Sequence, residues 1–181
     1  INGETQTGVT TFFLDKDIDT GRIIMQKPFD IPDTADVEYV YDGLMHLGAT
    51  IAIDTINLIA SKLPEDNLDV DFSHVLDEIS VPQEQENIEL KSAPKIFKET
   101  CEINWSQPAK AVYDFIRGLS PYPGAWSSLV LNDGPESKPL VMKIYKTSKT
   151  NRAATGAVGN LVVEKNRLYV NTTDNLLELL D

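Results

Sequence analysis

Apolar and polar positions along the chain follow two periods. Thr10 to Leu14 (Thr-Thr-Phe-Phe-Leu) is β-branched and aromatic and predicts a buried strand. Arg22 to Phe29 predicts a second strand, with Pro28 marking an edge or an end. From Val37 the period changes. Val37, Val40, Leu44, Leu47, Ile51, Thr55, Ile56 and Ile59 recur at spacings of three and four, which predicts one apolar helix face. Asp33 or Thr34 suits the cap of that helix and Asp36 and Glu38 its first turn, and it runs to about Ala60. Val75, Leu76 and Ile79 predict a short helical turn. Val81 to Pro94 has little periodicity and reads as a linker. Ser106 and Pro108 then open an amphipathic helix carrying Ala109, Val112, Phe115, Ile116 and Leu119. Five strands are expected after it: Trp126 to Leu131, Leu140 to Thr147, Ala157 to Val163, Leu168 to Asn171 and Leu176 to Leu180. Short strands with one helix suggest a small barrel.

With 181 residues, 41% of them hydrophobic, the chain has the composition of a globular protein. Ile51 to Ala60 is too short and too interrupted, by Asp54, for a transmembrane run. The sequence opens at Ile1 without methionine or a secretory signal, and reads as a cut chain. Its single cysteine, Cys101, excludes an internal disulfide and a cysteine metal site, and fits a reducing cytoplasm. That thiol is expected at a half-buried strand edge. The net charge of −12 is unevenly spread. Residues 1–100 hold 20 acids and 7 bases, whereas residues 101–181 hold 8 acids and 9 bases. If RNA binds this acidic chain, the second half is where it binds.

Asp15, Asp17 and Asp19 stand at alternate positions, the spacing that opens an EF-hand loop. That loop needs glycine at its sixth position and glutamate at its twelfth, and Thr20 and Gln26 stand there. Flanking strands also disfavour calcium, so no metal is expected. A solvated hairpin turn is the plain alternative, since Asp-Thr-Gly is ordinary turn chemistry.

The run Thr7-Gly8-Val9-Thr10, followed by strand residues and an acidic loop ending in Asp19-Thr20-Gly21, resembles a signature of the folate-dependent formyltransferase family. Ala93-Pro94-Lys95-Ile96 with Ile103-Asn104-Trp105 resembles that family's interdomain passage. Ile116-Arg117-Gly118-Leu119-Ser120-Pro121-Tyr122-Pro123-Gly124-Ala125-Trp126 resembles the opening of its carboxyl-terminal domain. The resemblance is strongest to members that act on methionyl-tRNA. It implies a donor, 10-formyltetrahydrofolate, and an acceptor, the methionine amine on initiator tRNA. It implies a catalytic role for Asp19 and a folate loop of Leu14, Asp15, Lys16, Asp17 and Ile18. The family's Asn and His belong to an upstream motif with no match here, so this polypeptide alone is expected to be inactive. Acceptors in sister enzymes are sugar nucleotides or glycinamide ribonucleotide, and a non-catalytic RNA-binding module is a third reading.

The expected fold is an α/β remnant of a formyltransferase Rossmann-like domain (1–80), a linker (81–100) and a small OB-like β-barrel domain (101–181). Lys138, Lys143, Lys146, Lys149 and Arg152 lie within one short stretch. Lys146, Lys149 and Arg152, placed near a strand end and its loop, and Arg117, at a helix end, are candidate tRNA contacts; a solvated edge is the plainer reading. Trp105, Tyr122 and Trp126 are expected as packing anchors, and His46 and His74 as structural or exposed residues. A cytoplasmic, monomeric parent without a membrane partner completes the expectation.

Overall fold

The computed structural model describes residues 1–63, 72–83, 91–130 and 138–181. Within them the chain divides into two compact units. A hairpin unit comprises Thr5–Pro32 and Val40–Ala93, and a C-terminal unit comprises Ile1–Glu4, Asp33–Tyr39 and Pro94–Asp181.

In the hairpin unit, β1 (Gln6–Phe12) pairs antiparallel with β2 (Ile23–Asp30). The pairing runs from Gln6 opposite Asp30 to Phe12 opposite Ile23, with an irregularity between Thr11 and Phe12. β1 alternates exposed and half-buried residues and is not the buried strand its composition suggests, because a two-stranded sheet has one covered face. Helix α1 (Val37–Ser61) starts on Asp36, whose carboxylate accepts the Tyr39 N–H at 2.9 Å. Asp36, rather than Asp33 or Thr34, is therefore the N-cap. Ile51 is fully buried, and a Cβ at Gly43 would strike the Phe29 ring. The Thr11 and Thr55 hydroxyls share a hydrogen bond of 2.8 Å, and Lys27 pairs with Asp54. Ile56 departs from the expected face and is exposed. By length and composition α1 meets the requirements of a membrane-crossing helix, which the shorter Ile51–Ala60 stretch did not suggest. The short α2 (Phe72–Ile79) buries Val75 and Ile79, as their spacing predicts.

In the C-terminal unit a 3-10 turn (Glu99–Cys101) precedes α3 (Ala109–Gly118). Cys101 is buried in that turn and donates its thiol to the Phe97 carbonyl, so it is not a strand-edge residue. Among the described residues six strands follow, where five were expected. β3 (Ala125–Leu129) pairs with β4 (Leu140–Ile144). A four-stranded antiparallel sheet has the order β5-β8-β7-β6, from Thr147–Ala153, Asn175–Leu179, Arg167–Asn171 and Leu161–Glu164. The additional strand is β5, whose Thr, Ser, Lys and Arg residues carry no hydrophobic alternation. Its register comes from β8, through Thr147 opposite Leu179 and Lys149 opposite Leu177. Among the described residues the strands form separate sheets rather than a closed barrel. One end of the predicted strand Trp126–Leu131 and much of the predicted linker lie outside the described residues.

The core of this unit gathers Cys101, Ile103, Val112, Ile116, Leu119, Ala125, Ile144 and Leu177. Each of its large aliphatic side chains contributes about 1.5–3 kcal/mol by leaving water. Trp105 and Trp126 pack against it and donate their indole N–H groups to Ser127 Oγ and the Lys98 carbonyl. Tyr122 is 83% exposed and is no anchor. The cap of α3 is also tertiary. Pro108 occupies the N-cap position with no cap of its own, Ser106 plays no part, and Asp174 from the β7–β8 turn accepts the Ala109 N–H at 2.8 Å. That bond, helped by Thr172 Oγ1 and the Asn175 N–H, holds the Asp174 carboxyl below the usual carboxylate range.

A depressed carboxylate stabilises the fold above its unfolded pKa of about 3.9 and loses that contribution as pH falls through its folded value. Asp174→Ala is therefore expected to cost about 1 kcal/mol at neutral pH, with the gap to wild type closing below about pH 4, as read by denaturant midpoints across pH. An unchanged gap at low pH would reject the cap.

Candidate functional site

The first candidate site is the turn between β1 and β2. Asp19 adopts a left-handed backbone (φ 59°), which aspartate tolerates better than most residues yet which costs about 1 kcal/mol or more. Its side chain is exposed at the turn. Leu14 and Ile18 are each 91% exposed, an unusual display of apolar surface on one short loop. Asp15 accepts the Lys16 N–H at 2.7 Å, and Thr20 Oγ1 donates to the Asp17 carbonyl at 3.2 Å. Asp15 and Asp17 thus sit on the loop that presents Asp19. Gly21 is buried where the chain re-enters the sheet, and a Cβ there would run into the Phe13 carbonyl.

Contacts from far along the sequence hold this turn. Ile23 and Val81 exchange both backbone hydrogen bonds at 2.8 Å. Arg22 Nε donates to Ser80 Oγ at 2.9 Å and Arg22 Nη2 to the Ser80 carbonyl at 2.8 Å. Gln83 Nε2 donates to the carbonyls of Asp19 (2.8 Å) and Gly21 (2.5 Å). Sequence reasoning assigned Val81 to Gln83 to a linker and missed these residues. A lone Gln among Gln and Glu carries no signal until its partners are known.

The second candidate site is a cavity of about 820 Å³ in the C-terminal unit. Arg117, Lys146 and Lys149 line it together with Asp33, Tyr113, Tyr145, Thr147 and Asp181. Three of the four predicted cationic contacts are therefore brought together. Arg152 is the exception. It lies within β5 and pairs through both terminal nitrogens with Glu164, which raises its own pKa and lowers that of Glu164, beside the Tyr169 ring. Lys149 too lies in β5 rather than in a loop. It hydrogen-bonds Asp33 at 2.5 Å, holding that carboxyl below its usual range, and sits over the Tyr113 ring. Arg117 is largely buried between Asp114 Oδ1 at 2.7 Å and the Ala35 carbonyl at 2.8 Å. Lys146 forms no ion pair among the described residues, and Thr147 Oγ1 is buried without a hydrogen-bond partner among them. His46 bonds the Asp42 carbonyl of its own helix, and His74 is exposed on α2.

The chain belongs to the formyl transferase family. The family model described as formyl transferase matches residues 1–56, and that of the formyl transferase C-terminal domain matches residues 95–181. A relative from Bacteroides fragilis, named methionyl-tRNA formyltransferase, is 46% identical over 99% of this chain and 51% of its own length. One of the same name from Parabacteroides distasonis is 43% identical, with the same coverage. The chain thus spans about half the length of the curated relatives it matches. HypX from Aquifex aeolicus, solved with tetrahydrofolic acid, superposes with a TM-score of 0.62 at 16% identity, covering 98% of this chain and 27% of that one. An N-formyltransferase from Helicobacter canadensis gives 0.59 at 18% identity, covering 99% and 57%. These two likenesses concern the fold.

Gly21→Ala is expected to destabilise the hairpin unit by about 1–3 kcal/mol, because the Phe13 backbone must move to admit the methyl group. Hydrogen exchange at the β1–β2 amides would measure it, and wild-type protection would exclude the close approach.

Proposed function

We propose that the polypeptide carrying this chain formylates methionyl-tRNA, taking the formyl group from 10-formyltetrahydrofolate. The carrying observation is the 46% identity that extends over nearly the whole chain to a relative bearing that name. The tetrahydrofolic acid bound to HypX agrees with a folate donor, and an initiator-tRNA acceptor accords with a cytoplasmic reaction.

In the reaction the methionine nitrogen forms a bond to the formyl carbon, and the carbonyl electrons pass to oxygen. The tetrahedral species collapses by breaking the bond to the folate nitrogen, which gains the proton the amine has lost. A carboxylate favours the charged form of a neighbouring imidazole or orders a water that relays this proton. Asp19 takes that role, on the most exposed part of the hairpin. Leu14 and Ile18 offer apolar surface to the pterin ring, with Asp15, Lys16 and Asp17 completing the folate loop.

In the C-terminal unit we assign the cavity around Lys146 to tRNA phosphates, because this ammonium is the least committed of the cations there. Lys149 and Arg117 shape the cavity while paired to Asp33 and Asp114. Arg152, paired with Glu164, would meet a phosphate only by giving up that partner. We read the unit as an open OB-like barrel. Only Tyr145 and Lys146 separate β4 from β5, and both donate their backbone N–H groups to Asp181 beyond β8. One strand path thereby leads from the first sheet to the second.

The test is formylation of methionyl-tRNA by the whole polypeptide with 10-formyltetrahydrofolate. Asp19→Asn is expected to lower kcat by about 100-fold or more while folate binding persists. Near-normal turnover would remove Asp19 from the chemistry. A folate-binding but inactive wild type would move the acceptor to another amine, such as a sugar nucleotide. Lys146→Ala is expected to weaken tRNA binding and reduce the salt dependence of log K by about 0.7–0.9. An unchanged slope would place the phosphates elsewhere.

A further inference from the structure

We propose that Gln83 is a positioning residue for Asp19, setting the backbone that carries the carboxylate without touching substrate. The inference rests on the catalytic reading of Asp19. A carboxamide nitrogen has two N–H donors fixed at a wide angle, and here each finds one carbonyl of the turn, that of Asp19 and that of Gly21. These carbonyls bracket Thr20, so the two bonds define the path of the turn on both sides of it. The left-handed φ of Asp19 is not the conformation an L-residue prefers, and it persists where the surroundings over-determine it.

The surroundings are specific. Ser80 to Gln83 lie along the start of β2 as a clip. The Ile23–Val81 exchange fixes the register, and the Arg22 bonds to Ser80 fix the near end. Ser80 Oγ in turn donates to the Leu76 carbonyl of α2 at 2.5 Å. Gln83 lies two residues beyond Val81, at the far end of the clip and within reach of the turn. Its side chain is exposed, so water competes for both carbonyls and the effect is graded rather than all-or-none.

The chemistry separates this role from generic packing. Gln83→Ala removes two donors and leaves hydrated carbonyls. Gln83→Glu sets an acceptor-only carboxylate against two carbonyl oxygens and is the more damaging change, although it is closer in shape. A residue that merely filled space would show the opposite order.

The first readout is NMR of this chain. Backbone shifts of Asp19 to Gly21 are expected to move from left-handed toward extended values in Gln83→Ala, and further in Gln83→Glu. The Ile23 and Val81 amides should keep their protection and the melting temperature should stay within a degree or two of wild type. Unmoved Asp19 shifts in both variants, or loss of the Ile23–Val81 bonds, would overturn the proposal. The second readout is formylation by the whole polypeptide. Gln83→Ala should lower kcat about tenfold with KM for tRNA unchanged, and should add nothing in an Asp19→Asn background. Additive losses would mean that Gln83 does not act through Asp19. A wild type without formylation activity would defeat the catalytic reading, while the NMR result would still decide whether Gln83 sets the turn.

Discussion

Two strands alone bury too little to hold a hairpin in water, and β1–β2 persists because other segments cover it and pair with it. One face lies against α1, through Phe29 on Gly43, the Thr11–Thr55 hydroxyl pair and the Lys27–Asp54 ion pair. The turn end is held by the Ile23–Val81 exchange and the polar bonds on either side of it. The Asp19 turn inherits its geometry from this support. Its strained backbone, its close approach of Gly21 to Phe13 and its exposed apolar residues would all relax in an isolated hairpin.

The C-terminal unit solves a similar problem with a buried core. Asp174 caps α3 from the β7–β8 turn, so the helix start and that turn stand or fall together. The cavity depends on this arrangement, since Arg117 comes from α3 and Lys149 from β5. Charge there is mostly balanced: Asp114 and Asp33 hold Arg117 and Lys149 in place, which leaves Lys146 as the cation with least to lose by meeting a phosphate. The excess of bases over acids in the second half of the chain takes on meaning only through that distribution.

Much was legible in local pattern, because helices and alternating strands write their periods into the chain. The apolar positions from Val37 to Ile59 announced α1, and those from Ala109 to Leu119 announced α3. The Asp19-Thr20-Gly21 motif marked the turn, and the tandem motifs marked the family. The misses share a cause. β5 is polar and takes its order from β8, α1 is capped by Asp36 rather than Asp33 or Thr34 and α3 by Asp174 rather than Ser106, and Cys101 is buried in a 3-10 turn. In each case a hydrogen-bond partner, rather than hydrophobicity, decided.

The sequence by itself determined the helices α1 and α3, the acidic-to-neutral division of the chain, the turn carrying Asp19 and the membership of the formyl transferase family. These depend on composition, spacing and motif, which are local properties. Only the tertiary structure decided that Gln83 grips the Asp19 turn across more than sixty residues, that Arg117 and Lys149 are already paired, and that Lys146 shares their cavity. Directional hydrogen bonds and ion pairs between distant segments leave no periodic trace, so they become readable only when the chain has brought their atoms within about 3 Å of each other.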